Sequence, residues 1–258
     1  MALLDLGGYR LENEWVGPPG PREASLVFLH QGLGCVAMWR SFADALAGRV
    51  GLPGLLYSRR GHGGSDPLEG PRPVRFMHDE ALETLPAILA RFGISAPVLV
   101  GHSDGASIAL IHAGSGSSRA RALVLEAPHV FVEDVGRAGC ARASEAYERA
   151  GLKGRLTRYH GPNTDAMFRG WHDVWCSPVF EAWSIEEYLP RITCPVLVIQ
   201  GEQDEYGTAE HLERIRKGVP GRVKTLMLTD CGHAPHRDQR ELFLAEAADF
   251  IGSLGPVG

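Results

Sequence analysis

The chain contains no run of lysines and arginines, and its formal net charge is −5. A mildly acidic protein without a basic stretch has nothing to hold a phosphate backbone or an anionic lipid surface, so neither nucleic acid nor a membrane is expected as a partner. Long apolar runs are also missing, and none approaches the roughly 20 residues that cross a bilayer. Residues 1–20 carry Asp5, Glu12 and Glu14 and lack a basic start followed by an apolar stretch, so no signal peptide is expected. Cysteine is sparse: Cys35, Cys140, Cys176, Cys194 and Cys231 are scattered, odd in number and form no C-x-x-C pair. That pattern encodes neither a zinc site nor a disulfide framework, and reduced thiols fit a cytoplasmic location. These absences leave a small molecule as the expected partner, met by a monomer or a homodimer.

The 258 residues, 44% apolar and 22% charged, suffice for one α/β domain with an insertion better than for two independent domains. Short apolar runs at 25–29, 54–57, 97–100, 122–125, 195–199 and 223–228 read as strands. Continuous leucine and β-branched runs bounded by glycine and proline suit a parallel sheet covered on both faces. Amphipathic stretches at 38–47, 76–91, 106–113, 209–217 and 240–251 alternate with them. This βαβ rhythm predicts an α/β fold with a mostly parallel, doubly wound sheet. One segment breaks the rhythm. Residues 129–190 have no clear strand, are helical in pattern and carry Trp171, Trp175 and Trp183. We read them as a helical cap inserted into a core formed by 1–128 and 191–258; long helices packed on the sheet edge are the alternative. A connection of this length normally has a use.

The strongest local signal is Gly101-His102-Ser103-Asp104-Gly105, a G-x-S-x-G sequence between the apolar run Val98-Leu99-Val100 and a helical pattern. So tight a turn forces strained backbone angles on the serine, and glycines two before and two after it remove side chains that would collide. The strain lifts the hydroxyl above the strand end, beside the unpaired N–H groups of the helix that follows. An ordinary βα turn with an N-capping serine is the plain alternative. Two further strand-end loops carry partners in the order such a serine needs. Gly201-Glu202-Gln203-Asp204 ends in an aspartate, and Asp230-Cys231-Gly232-His233 ends in a histidine. Glu202, Glu205 and Asp230 compete with Asp204, and His236 competes with His233. His233 is expected to take the Ser103 proton as general base, with Asp204 fixing the imidazole tautomer and stabilising its cation. A His233/His236 metal pair lacks a third ligand, so no metal is expected, and no cofactor is implied. After the strand at 25–29, His30-Gln31-Gly32-Leu33-Gly34 leaves backbone N–H groups free. Gly32 is the expected first oxyanion donor, with Leu33 as second choice, and the N–H of Asp104 the expected other donor. His30 reads as an anchor of that loop.

Taken together these residues resemble the α/β-hydrolase superfamily. His30-Gln31-Gly32 resembles its histidine-glycine oxyanion loop, with Gln31 departing from the usual glycine. Arg59-Arg60-Gly61-His62-Gly63-Gly64-Ser65 resembles its R-G-x-G-x-S turn, Gly201 to Asp204 its acid turn and Gly232-His233 its histidine loop. The match covers nearly the whole chain outside 129–190. Within the superfamily, Ser103-Asp104-Gly105 is similar to the elbow of biphenyl hydrolase-like enzymes of the valacyclovir hydrolase type. That likeness implies an Asp104 carboxylate that binds a cationic amine beside the scissile ester; a helix N-terminal charge is the other reading. The resemblance implies a serine hydrolase acting on a small carboxylic ester, such as an amino acid ester or a lactone. A C–C bond hydrolase of the meta-cleavage-product type would use the same triad, and a ligand-binding protein can keep this scaffold without turnover. Epoxide hydrolases and dehalogenases use an aspartate where Ser103 stands. Leu33, His129, Phe168, Trp171 and Trp175 are expected to line the substrate pocket, with His172 and Trp183 as further candidates.

Overall fold

The computed structural model describes residues 1–255. Eight strands form one sheet: β1 (Ala2–Asp5), β2 (Arg10–Val16), β3 (Leu26–Leu29), β4 (Gly54–Tyr57), β5 (Val98–His102), β6 (Ala122–Glu126), β7 (Val196–Gly201) and β8 (Val223–Leu228). Their spatial order is β1-β2-β4-β3-β5-β6-β7-β8. From β4 to β8 all neighbours run parallel, whereas β1 and β2 pair antiparallel at one edge.

Side-chain alternation explains the continuous apolar runs. Leu26 and Phe28 point into one core with Val98, Val100, Leu197 and Ile199. Val27 and Leu29 point into the other with Leu99, Leu123, Leu125 and Val198. Helices α1 (Val36–Val50) and α10 (Arg240–Gly252) cover the first face through Trp39, Phe42, Phe243 and Phe250. The second face is covered by α2 (Phe76–Asp79), a π-helical turn at Glu80–Thr84, α3 (Leu85–Phe92) and α4 (Asp104–Ala113). All ten residues of α4 are buried, so the stretch at 106–113, expected to be amphipathic, has no solvent face.

Strands β1 and β2 were not expected. Acids at 12 and 14 mask β2, but Glu12 is buried: its carboxylate accepts from the Ser58 hydroxyl at 2.6 Å and the Gly64 N–H at 3.0 Å. A paired carboxylate is tolerated inside where a bare one is not, so charge alone gave a misleading signal.

Between β6 and β7 the chain forms α5 (Asp134–Arg149), α6 (Leu152–His160) and α7 (Thr164–Trp175), with 3-10 turns at Gly161–Asn163, Pro178–Ala182 and Glu186–Arg191. The two ends of this stretch meet: Phe131 and Ser184 form an isolated antiparallel bridge, and the Ile185 N–H donates to the Val130 carbonyl at 2.9 Å. Helix α8 (Glu210–Gly218) follows β7, and the short α9 (Pro235–Asp238) precedes α10.

Candidate active site

Ser103 sits between β5 and α4 with φ 54 and ψ −119, a region that costs an L-residue strain. The turn is this tight because strand and helix nearly touch. A Cβ at Gly101 would lie 2.5 Å from the Gly105 carbonyl oxygen, and one at Gly105 would lie 2.0 Å from the Leu29 carbonyl oxygen. Only glycine fits at both positions, and the serine absorbs the backbone distortion between them. The hydroxyl makes no hydrogen bond among the described residues; it faces a cavity of about 410 Å³ that His233 also lines.

The imidazole of His233 is held by Asp204, with Nδ1 to Oδ1 at 2.7 Å. A carboxylate accepts only, so Nδ1 carries the proton and Nε2 is left as the basic nitrogen. Asp204 is saturated: Oδ1 also accepts from the Tyr206 N–H at 2.8 Å and the Gly207 N–H at 3.2 Å, and Oδ2 accepts from Gln200 Nε2 at 3.2 Å. Burial alone would raise the Asp204 pKa, but the hydrogen bond and charge of His233 outweigh it and the value falls below the ordinary one. Burial pulls His233 down, yet its hydrogen bond to Asp204 and the charges of Asp204, Glu205 and Glu126 raise it above the ordinary imidazole value.

The rival residues have other partners. His236 Nδ1 donates to Glu126 at 2.7 Å, not to Asp204. Glu205 receives the backbone N–H of His233 at 3.3 Å and does not meet its ring. His102 donates from Nε2 to the His233 carbonyl at 2.7 Å, bracing the loop from below. His102, Glu126 and His236 are the group among the described residues whose donor atoms lie close enough to share an ion, within 4.8 Å. All three are buried; His236 Nδ1 is taken by Glu126 and His102 Nε2 by the His233 carbonyl, while His102 Nδ1 has no hydrogen-bond partner among the described residues.

The loop after β3 is a reverse turn closed by the Gly34 N–H to the Gln31 carbonyl at 3.0 Å. Its central amides, Gly32 and Leu33, have no hydrogen-bond partner among the described residues, as expected for the middle of such a turn. Arg59 donates to the carbonyls of His30 and Gln31, and its own N–H meets His30 Nε2 at 3.0 Å. His30 must therefore carry its proton on Nδ1, which donates to the Gln31 carbonyl at 2.8 Å. A Cβ on Gly32 would lie 2.2 Å from the Trp171 ring, so the close packing of α7 on this turn requires glycine.

Of the expected pocket residues, Leu33, His129, Trp171 and Trp175 line the cavity. Phe168 does not: it is fully buried and stacks on Tyr147 with ring centroids 3.8 Å apart. Its helix turns it toward α5, away from Ser103. Trp183 stacks on Phe180 at 5.1 Å, and His172 lies over Phe168 at 5.8 Å; neither lines the cavity. The Asp104 side chain is 1% exposed and also outside the lining. Its Oδ1 accepts from Trp175 Nε1 at 3.2 Å. Burial raises its pKa, against the lowering influence of Arg59 and Arg72. His129, by contrast, is driven down to about 3, chiefly by burial and then by the neighbouring His211 and His233, so its imidazole is neutral. Its Nε2 lies 3.2 Å from the Tyr206 carbonyl.

Tyr206, Cys140 and Leu152 complete the walls and were not foreseen. Tyr206 packs 4.7 Å from the His233 ring, and the Tyr206 ring would lie 2.6 Å from a Cβ at Gly139. The only sequence signal for it was its place two residues after Asp204; the contact with α5 is tertiary.

A doubly wound sheet with a strained serine turn at a strand end, and a histidine–aspartate pair on the loops after two further strands, defines the α/β-hydrolase fold. The family model described as alpha/beta hydrolase matches residues 26–247, and the chain belongs to that family. Among curated proteins, epoxide hydrolase B of Mycobacterium tuberculosis is 30% identical over 113 residues, which are 43% of this chain and 27% of that protein. The chain thus spans under a third of that relative's length. Among solved structures, proline iminopeptidase of Mycobacterium smegmatis is similar with a TM-score of 0.73 at 21% identity, covering 98% of both chains. The enol-lactonase of Burkholderia xenovorans is similar with a TM-score of 0.76 at 17% identity, covering 98% of this chain and 100% of the other. At these identities the likeness speaks to the fold. No helix among the described residues is long and apolar enough to cross a membrane.

Proposed function

We propose that this hydrolase cleaves small carboxylic esters through an acyl-enzyme on Ser103, with His233 as general base and Asp204 as its orienting acid. The observation that carries this reading is that His233, paired with Asp204 at 2.7 Å, lines one cavity with a strained, unpaired serine hydroxyl. Nε2 of His233 takes the hydroxyl proton as Ser103 Oγ attacks the ester carbonyl. The amides of Gly32 and Asp104 receive the oxyanion, the second being the free first N–H of α4. Collapse expels the alkoxide, which takes the proton from His233. Water then attacks the acyl-enzyme with His233 again as base, releasing the carboxylic acid and restoring the serine.

In this reading residues 129–190 act as a cap, a division supported by the Phe131–Ser184 bridge at its base. Trp171 and Trp175 supply the apolar wall of a space sized for a small substrate. The Asp104 carboxylate serves that wall rather than a substrate amine, because it lies outside the cavity lining, its Oδ1 accepts from Trp175, and it sits in the field of Arg59 and Arg72; its Oδ2 has no hydrogen-bond partner among the described residues. An acid-nucleophile mechanism like that of epoxide hydrolases has no aspartate to use, since Ser103 stands at the elbow. The test is turnover of a chromogenic short-chain ester by wild type and by Ser103→Ala. We expect the variant to lose at least about 10³-fold in kcat while keeping its fold; undiminished turnover would remove Ser103 from the reaction.

A further inference from the structure

The turn that presents the Gly32 and Leu33 amides is held from the helical segment as well as from the core. His160, the last residue of α6, is 1% exposed and reaches under the turn. Its Nδ1 accepts the Gly63 N–H at 2.9 Å, so its proton sits on Nε2, which donates to the Leu33 carbonyl at 3.1 Å. His62 does the same one residue on. Its Nε2 accepts from Arg72 at 2.9 Å, so Nδ1 donates to the Gly34 carbonyl at 3.1 Å. Three residues after His160, Asn163 Nδ2 donates to the carbonyls of Gly63 and Ser65 at 3.2 and 2.8 Å. The carbonyls of residues 30, 31, 33 and 34 are therefore all pulled away from the cavity by side-chain donors. A peptide unit is planar and trans, so its N–H points opposite its carbonyl. Clamping the Gln31 carbonyl aims the Gly32 N–H, and clamping the Leu33 carbonyl holds the Gly34 N–H on Gln31, which closes the turn.

We propose that His160 is a positioning residue through which the helical segment sets the oxyanion turn, by donating to the Leu33 carbonyl while accepting from Gly63. The proposal rests on the reading that this turn supplies an oxyanion donor, but its geometry can be tested separately. The two bonds need opposite roles on one small, rigid ring, which the neutral imidazole alone among side chains of this size provides. Burial holds its pKa below the ordinary value, so the neutral form persists. A transition-state contact that loosens by about 1 Å loses on the order of 10²-fold in rate with little change in ground-state binding.

The experiment compares His160→Leu and His160→Gln with wild type in two readouts, the kcat and KM for a short-chain ester and amide hydrogen exchange at Gly34 and Gly63. The Leu variant, lacking both bonds, should lose tenfold to a hundredfold in kcat with KM within about threefold, and Gly34 should exchange about tenfold faster. Gln keeps a donor for Leu33 but no rigid acceptor for Gly63. It should keep Gly34 protected, speed exchange at Gly63 and recover most of kcat. A folded Leu variant with wild-type kcat, or with unchanged Gly34 exchange, overturns the proposal. If the Leu variant does not fold, the Gln pattern decides: a Gly34 that exchanges as fast as Gly63 overturns it. Should Ser103→Ala keep full turnover, the ester reading fails on its own, and the exchange data still judge whether His160 holds the turn.

Discussion

His233 sits under opposed influences, and their balance has a measurable consequence. Burial disfavours its cation, while the carboxylates of Asp204, Glu205 and Glu126 favour it and prevail. In the proposed role of general base His233 works only when neutral, so a raised pKa shifts loss of activity to higher pH. We expect the acid limb of kcat/KM to lie above 6.5, the ordinary histidine value. Asp204→Asn removes the largest raising influence and the tautomer control. It should move that limb downward and reduce kcat by about 10⁴-fold, because the imidazole is then no longer held in the tautomer that leaves Nε2 basic. A pH–rate profile of both proteins on one ester checks this; a limb that stays put in the variant would detach Asp204 from His233. At this scale the sequence went far. Serine, aspartate and histidine stand in the order such a site requires, each after an apolar strand. It went less far for Asp104, whose place beside the serine is compatible with a carboxylate turned either way. Only packing against Trp175 turns it inward.

At the scale of elements, glycine decides how closely pieces approach. Gly101 and Gly105 let α4 lie against β5 and β3, and Gly32 lets α7 lie on the Gln31–Gly34 turn. The first contact is internal to the core. The second joins the core to the helical segment, where side chains can yield. Gly32→Ala should therefore fold, but push Trp171 off the turn and reduce kcat by roughly tenfold to a hundredfold. Adding Trp171→Ala should restore part of it, so the double-mutant cycle should be less than additive; strict additivity in kcat would place the damage elsewhere. Strand and helix positions were readable because each carries its own period. Phe168 was misassigned to the pocket because a helical aromatic stripe gives spacing, not direction. Its stacking partner, Tyr147, lies 21 positions earlier on another helix.

For the molecule as a whole, buried histidines set the response to acid. His102 and His129 are lowered by burial to about 4 and about 3, whereas the unfolded chain protonates them near 6.5. A depressed folded value means that stability is complete above 6.5 and drains as pH falls toward the folded values. Each group costs about 1.4 kcal/mol per pH unit over that window. Asp204 and Glu126, also held low, add their own loss at more acidic pH. His233 has the opposite sign: its contribution is full below 6.5 and is lost as pH rises through its raised value. Thermal melts from pH 8 to 4.5 should show a broad maximum near neutrality and a steep fall below pH 6.5. His129→Gln should make that fall shallower by about one proton's slope. An identical slope would mean that His129 is not neutral in the fold.

The amino-acid sequence by itself determined the strand and helix rhythm, the glycine-flanked serine turn and the loops that carry Asp204 and His233, because periodicity and turn chemistry act within a few residues. Tertiary structure decided which imidazole meets which carboxylate, His233 with Asp204 and His236 with Glu126. It also decided the burial of Glu12 in an added strand between β1 and β4, the inward turn of Asp104 and the reach of His160 beneath Leu33. Those pairings join residues far apart along the chain, and their distances are set by how the sheet twists and how the helices seat upon it.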